Sequence, residues 1–313
     1  MRHHESLPPT PRRPLRLAAA AALLCLGLAG CGDGDGAAQA QAGPSGGAAS
    51  APAAPASPSP APTKAAPSPS KSPSKSPAKS PAKPPSVPGG PLSGKTVVID
   101  PGHNPRNHLH TAAINRQVGI GTGHKECDTT GTATNGGYAE AEFTLDVAHR
   151  LRDLLRAQGA KVLLTYDGDR EFGPCVDERA RIGNEAHADA VVSVHADGSA
   201  VGNRGFHVIL PALVRGGSAD TSKIVAASRD LGTRIAGLFV RSTGSSPSNY
   251  VGGKTGLDVR KDLGGLNLST VPKVFIECGN MRDPKDAALL TSPGWRQKAA
   301  QGIADGISSY LKG

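Results

Sequence analysis

Thr96-Val-Val-Ile-Asp-Pro-Gly-His103 (TVVIDPGH) reads as a strand that stops at a turn and presents an imidazole. A short run of apolar, β-favouring residues bounded by turn formers is the pattern of a strand covered on both faces. Pro101 and Gly102 end the run. In open α/β sheets, chemistry collects just beyond the carboxyl ends of such strands. His103 therefore marks an edge at which other reactive side chains are to be sought.

A polar stretch from Asn104 to Tyr138 follows. It is too long for an ordinary connection and is read as a small hairpin or flap beside the site, pinned by Cys127. Phe143, Val147, Leu151, Leu154 and Leu155 recur at helical spacing and predict a helix over about 140–158, stopped by Gly159. KVLLTY (161–166) and AVVSVH (190–195) read as strands on either side of a helix over 176–187, whose Arg179 and Arg181 are expected on its surface. The alternation continues with the strand GFHVIL (205–210), a long helix over 220–243 and the strand KVFIE (273–277). Two closing helices, 284–290 and 294–311, complete it. The expected fold class is α/β, a mostly parallel sheet sandwiched by helices, with the site at its carboxyl edge.

Three predicted strands end in residues that packing does not require: His103, His195 and Glu277. Glu140 opens the helix that leaves the same edge. A catalytic zinc takes three protein ligands from His and carboxylate groups and keeps its fourth position open. His103, Glu140 and His195 are the expected ligand set, and Glu277 then remains as the general base. Its apolar neighbours Val274, Phe275 and Ile276 are expected to raise its pKa toward the range useful for proton transfer. Taken singly, each residue has a plain structural explanation: a strand-end histidine is usually hydrogen-bonded, and a glutamate at a helix start usually complements the dipole. The intervals of 37 and 55 residues between the ligands match no compact metal motif, so only their shared edge joins them.

VVIDPGH, EAEFTLDVAHRL, DERARIGNEAHADAVVSVHAD and VFIECGN occur in that order over about 95–311. This series resembles the zinc-dependent N-acetylmuramoyl-L-alanine amidases of the type 3 family. The resemblance implies hydrolysis of the amide between N-acetylmuramic acid and L-alanine in peptidoglycan. It also implies zinc at His103, Glu140 and His195, with Glu277 catalytic. It selects Glu140 over Glu142, because the family's carboxylate lies five residues before the leucine matched here by Leu145. Two features depart from the family: Asn104 stands where glycine is usual, and the insertion carrying His108, His110, His124 and Cys127 is long. Those three histidines are read as solvated, and His149, His187 and His207 as structural. Two other functions use the same residues: a wall-binding protein without catalysis, and a zinc amidohydrolase that removes glycan N-acetyl groups.

Upstream, Arg12, Arg13 and Arg16 precede an apolar run from Leu17 to Leu28, as in a secretory signal. Leu28-Ala29-Gly30-Cys31 resembles the lipobox of bacterial lipoproteins, which implies cleavage before Cys31 and a lipid on its thiol. An ordinary signal peptide is the alternative. Residues 31–91 form a linker rich in Ala, Pro, Ser and Lys, too poor in apolar surface to fold. Lys71, Lys75, Lys79 and Lys83 recur within it, either to meet anionic wall polymers from a stalk or as part of a solvated spacer. The expected plan is a signal peptide over 1–30, the lipidated linker over 31–91 and a catalytic domain over 92–313, anchored outside the cytoplasmic membrane.

Nine Lys/Arg against three Asp/Glu up to Ser93 carry +6 of the formal +9, which leaves +3 for the folded part. Without a basic cluster interleaved with aromatics, that part is not expected to bind nucleic acid. The expected partners are peptidoglycan or muropeptides and, through the lipid, a membrane; a monomer is expected. Cys278 ends an apolar run and is expected to be buried. Cys127 and Cys175 lie in polar, loop-like sequence and are expected to pair in an oxidising compartment.

Overall fold

In the computed structural model the described residues are 89–313; the predicted signal segment, Cys31 and the linker up to residue 88 lie outside them. The chain enters β1 (Thr96–Pro101), whose Val97, Val98 and Ile99 are fully buried. The insertion after it holds α1 (Thr111–Ile114) and a two-stranded hairpin of β2 (Gln117–Gly119) and β3 (His124–Glu126). Then come α2 (Glu140–Ala157), β4 (Lys161–Leu164), α3 (Val176–Glu185), β5 (Ala190–Asp197) and β6 (His207–Pro211). A second hairpin, β7 (Arg215–Gly216) with β8 (Ala219–Asp220), precedes α4 (Val225–Thr243) and β9 (Leu257–Arg260). The chain closes with α5 (Gly264–Asn267), β10 (Lys273–Asn280), α6 (Pro284–Leu290) and α7 (Pro293–Lys312).

The main sheet has six strands in the order β4-β1-β5-β10-β6-β9. All neighbours are parallel except β10 and β6. The reversal has a simple cause: a parallel crossover needs a dozen or more residues, usually a helix, and none separates β5 from β6. Helices on both faces make the α/β sandwich. One face is sealed by α2, α4 and α7, whose apolar stripes meet β1, β5, β10 and β6 in one core. In α2 the stripe is Phe143, Val147, Leu151 and Leu155, all fully buried. Each such side chain contributes about 1.5–3 kcal/mol on burial, so Leu151→Ala would cost about 2–5 kcal/mol. Gly159 then takes φ +92° just beyond the helix, a conformation open to glycine.

The opposite face is covered unevenly. Val98 and Val191 pack there against Ala188 and Ile182, at the β1–β5 end. Toward the carboxyl ends of β5 and β10, beside the start of the antiparallel β6, that face carries two cavities, and there the functional groups emerge.

Local differences from the sequence reading have physical reasons. Arg179 is buried, not on the surface of α3. It shares an inward face with Gly183 one helical turn on, and charged partners receive it there. Helix α4 begins at Val225 because the preceding residues form the β7–β8 hairpin and a turn held by the Thr221 hydroxyl. Strand β9 lacks an apolar run; as an edge strand it is half-exposed, with Val259 49% accessible.

Candidate active site

His103 follows β1, His195 lies in β5, and Glu277 lies in β10 beside it in register. Three adjacent parallel strands thus deliver their groups to one edge. Glu140 reaches the same edge from the first residue of α2, its backbone N–H donating to the Thr132 carbonyl at 2.9 Å. Gly102 lets the strands close up: a Cβ there would lie 2.3 Å from the His195 ring.

The ligand atoms of His103, Glu140 and His195 all lie within 4.8 Å of one another. Glu140 is the pivot, with Oε2 at 3.2 Å from His103 Nε2 and Oε1 at 3.0 Å from His195 Nδ1. The same carboxylate accepts from the backbone N–H of Thr132 at 2.9 Å and of Ala196 at 3.2 Å, which fixes its plane. His103 Nδ1 lies 3.1 Å from the Thr129 carbonyl, which can only accept, so Nδ1 carries a proton and Nε2 is the nitrogen that can give up its own and offer a lone pair. The His195 ring is stacked on Phe275 at 5.3 Å and 19°. Two imidazole nitrogens and a carboxylate, each oriented by a further contact, can hold a divalent metal ion.

Electrostatics favour a cation at this point. Burial pulls the His103 pKa down, but the Glu140 and Asp128 carboxylates outweigh it and push it up to about 10. Glu140 is held well below the usual carboxylate range: burial works against that, and His103 and His195 overcome it. The same carboxylates that favour a proton on His103 also favour a divalent cation in its place. Glu277 behaves oppositely. Burial drives its pKa well above the ordinary value, and the nearby carboxylates of Glu140 and Asp197 add to this. Its Oε2 is buried with no hydrogen-bond partner among the described residues.

The sequence matches the family described as N-acetylmuramoyl-L-alanine amidase over residues 97–309. The chain belongs to that family. It is 41% identical to the N-acetylmuramoyl-L-alanine amidase Rv3717 of Mycobacterium tuberculosis, over 70% of this chain and 88% of that protein. Among solved structures it resembles the N-acetylmuramyl-L-alanine amidase Ami1 of Mycobacterium smegmatis, with TM-score 0.64 and 41% identity, over 70% of this chain and 98% of that one. The apo form of Ami1 from Mycobacterium abscessus is also similar, with TM-score 0.64 and 40% identity, over 70% of this chain and all of that one.

In this member of the family, residues outside the predicted set complete the site. Asp128 Oδ1 stands 3.5 Å from His103 Nδ1, and Arg179 donates to the His103 carbonyl at 3.0 Å. Asp100, inside β1, accepts from Arg179 at 2.8 Å and from Lys273 at 3.1 Å, both buried. Asn104 is buried and closes the turn after His103 by accepting from the Arg106 backbone at 2.9 Å and donating to the Gly173 carbonyl at 3.2 Å. A charged residue inside an apolar strand was the available signal for Asp100; nothing in the local pattern marked Asp128.

Cys127 and Cys175 are joined by a disulfide, and Cys278 is buried and free. Glu142 is exposed on α2 and is not part of the His103–Glu140–His195 cluster. His108 and His124 are exposed, His110 packs against Phe172 at 5.3 Å, and His149 pairs with Asp167. His187 follows α3 at φ +46°, and His207 is buried in β6 against Tyr250. Two cavities flank the His103–His195 pair. One, about 380 Å³ and open, includes Glu140, Glu277, Asp197 and Arg260. The other, about 210 Å³, lies toward Val176, Leu263 and Lys125.

Proposed function

We propose that the chain hydrolyses the amide bond between N-acetylmuramic acid and L-alanine in peptidoglycan or muropeptides, with zinc held by His103, Glu140 and His195. The observation that carries this reading is the convergence of those three side chains beside the buried Glu277 carboxyl in a chain of this family. The donor set fits zinc, since two neutral imidazoles and one carboxylate leave a bound ion with net positive charge and an open position. When bound, the ion would polarise the scissile carbonyl and stabilise the negative charge that develops on its oxygen.

The chain's own residues do the rest. Glu277 takes a proton from the attacking water and returns it to the departing L-alanine amine. Burial raises its pKa above the ordinary carboxylate value, which strengthens it as a proton acceptor once it is ionised. Thr129 and Asp128 fix the His103 ring through Nδ1, and Phe275 supports the His195 ring, so neither ligand has to be oriented during turnover.

The test is digestion of purified peptidoglycan and soluble muropeptides, with product masses identified. Glu277→Ala should retain zinc and release no L-alanyl peptide, whereas His103→Ala and His195→Ala should lose both. Full activity in Glu277→Ala would remove the assigned base. Release of acetate instead of L-alanyl peptides would mark an N-acetyl hydrolase.

We further propose export through residues 1–30, lipidation at Cys31, and a linker over 31–91 that holds a monomeric domain away from the membrane. The Leu28–Cys31 pattern supports the lipid, and the Cys127–Cys175 disulfide suits an oxidising compartment. No helix among the described residues is long and apolar enough to cross a membrane. In the full chain, Cys31→Ala should abolish incorporation of labelled palmitate and shift the protein to the culture medium; unchanged labelling would exclude that anchor.

A further inference from the structure

Arg260 ends β9, the edge strand of the sheet, and lines the same open cavity as Glu277. We infer that Arg260 recognises a carboxylate on the peptide half of the substrate and so acts as a specificity-determining residue. The inference rests on the amidase reading and extends it.

Orientation comes from the proton balance of the reaction. Water adds to the carbonyl carbon and loses a proton; the C–N bond breaks, and the nitrogen must gain one. If Glu277 moves that proton, the amine half of the substrate lies over the cavity that contains Glu277. The acyl half then lies toward the smaller cavity, whose lining includes Val176 and Gly264 but neither Glu277 nor Arg260. The two halves differ in charge. The muramoyl carboxyl is consumed in the amide and the sugar is neutral, whereas the peptide beyond L-alanine carries free carboxylates at its acidic side chains and terminus.

Arg260 is built to meet such a group. Its Nε and Nη2 donate to Asp262 at 2.9 and 2.6 Å, which fixes the guanidinium plane. Nη1 has no hydrogen-bond partner among the described residues. Lys125, from the β2–β3 hairpin and lining the smaller cavity, places Nζ 3.4 Å from the same Asp262, so Arg260, Asp262 and Lys125 together carry a net +1. Of the acidic residues in the cavity, Glu140 is held by His103 and His195, Glu277 is the assigned base, and Asp197 accepts from the Tyr250 hydroxyl at 2.7 Å and from the Gly198 N–H at 2.7 Å. A planar cation held by one carboxylate, with donors left over, is suited to receive a second.

The experiment compares two N-acetylmuramoyl-L-alanyl-glutamyl substrates, one with both glutamyl carboxylates free and one with both converted to carboxamides. The zinc-loaded full chain and its Arg260→Gln variant are assayed on each. A charged hydrogen bond corresponds to about 10–100-fold in binding. Arg260→Gln should therefore raise KM for the free acid by roughly that factor, leave KM for the diamide unchanged, and leave zinc content and melting temperature unchanged. Arg260→Lys should restore part of the preference. Equal losses on both substrates, carried in kcat and accompanied by a shifted pH profile, would mean that Arg260 acts only through Glu277 and would overturn the inference. No change on either would also overturn it. Absence of cleavage of both substrates by the unmodified chain would instead remove the amidase reading, and the inference with it.

Discussion

Arg179 Nη2 donates to Asp128 Oδ2 at 3.0 Å, and both side chains are 6% exposed. The pair lies directly behind the metal site, because Asp128 Oδ1 faces His103 Nδ1 and Arg179 also holds the His103 carbonyl. Helix α3 is thereby tied to the residue that β1 presents. Removing one member of a buried ion pair leaves the other charge uncompensated, at about 3–5 kcal/mol. Arg179→Met should lower the unfolding free energy by roughly that amount in urea titrations and weaken zinc binding about 10–100-fold, the range for lost outer contacts to a metal ligand. Arg179→Lys should restore part of the stability but not the metal affinity, since an ammonium cannot span Asp100, Asp128 and the His103 carbonyl together. Wild-type zinc affinity in Arg179→Met would refute the link.

The same charges predict an acid limit. Burial alone would raise the Asp100 pKa, yet Lys273 and Arg179 reverse this and hold it well below the carboxylate range. Burial likewise opposes the lowering of Asp128 to about 2, which Arg179 and His103 bring about. Groups with folded pKa values below their unfolded ones stabilise the protein above the unfolded value, near ~3.9, and lose that contribution as pH falls beneath it. Each contributes a slope of about 1.4 kcal/mol per pH unit in that window. Urea unfolding of the chain at pH 7, 4 and 3 should show little change between the first two and a steep loss between the last two. Asp100→Asn should be less stable throughout, with a shallower fall from pH 4 to 3. An unaltered slope in that variant would show that Asp100 has the same pKa folded and unfolded, and would refute the lowering.

Much of this architecture was legible in residue order because the elements that build it are strongly patterned. β1, β5 and β10 are continuous apolar runs, and α2 carries a fully buried stripe at helical spacing. The convergence of His103, His195 and Glu277 followed from parallel strands alone, since each stands near a carboxyl end. What stayed hidden depends on partners distant in sequence. Arg179 looks like any helical arginine until Asp100 and Asp128, 79 and 51 residues away, surround it. Arg260 sits in LDVR, which has too little apolar content to announce a strand, and its relevance comes only from β9 joining the sheet beside β6. Asn104, a departure from the family's usual glycine, turns out to fasten the loop behind the ligand to the segment around Gly173.

The Cys127–Cys175 disulfide closes a separation of 48 residues and lies immediately before Asp128 and Thr129, the two residues that orient His103. Two backbone hydrogen bonds reinforce it, Cys127 donating to the Arg116 carbonyl at 2.8 Å and Val176 donating to the Cys127 carbonyl at 2.7 Å. A cross-link over a loop of this size restricts the unfolded chain by up to about 4 kcal/mol, and native disulfides deliver about 2–5 kcal/mol. A Cys127→Ser/Cys175→Ser variant should therefore unfold at lower urea concentration, by an amount in that range. Metal binding should report the second consequence. With the strap released, Asp128 and Thr129 hold the His103 ring less firmly, and zinc affinity should fall about 10-fold or more by competition with a chelator. Treatment of the unmodified chain with a thiol-free reductant should reproduce both effects, and reoxidation should reverse them. A variant that loses stability while binding zinc as tightly as the parent would confine the disulfide to the fold and separate it from the site.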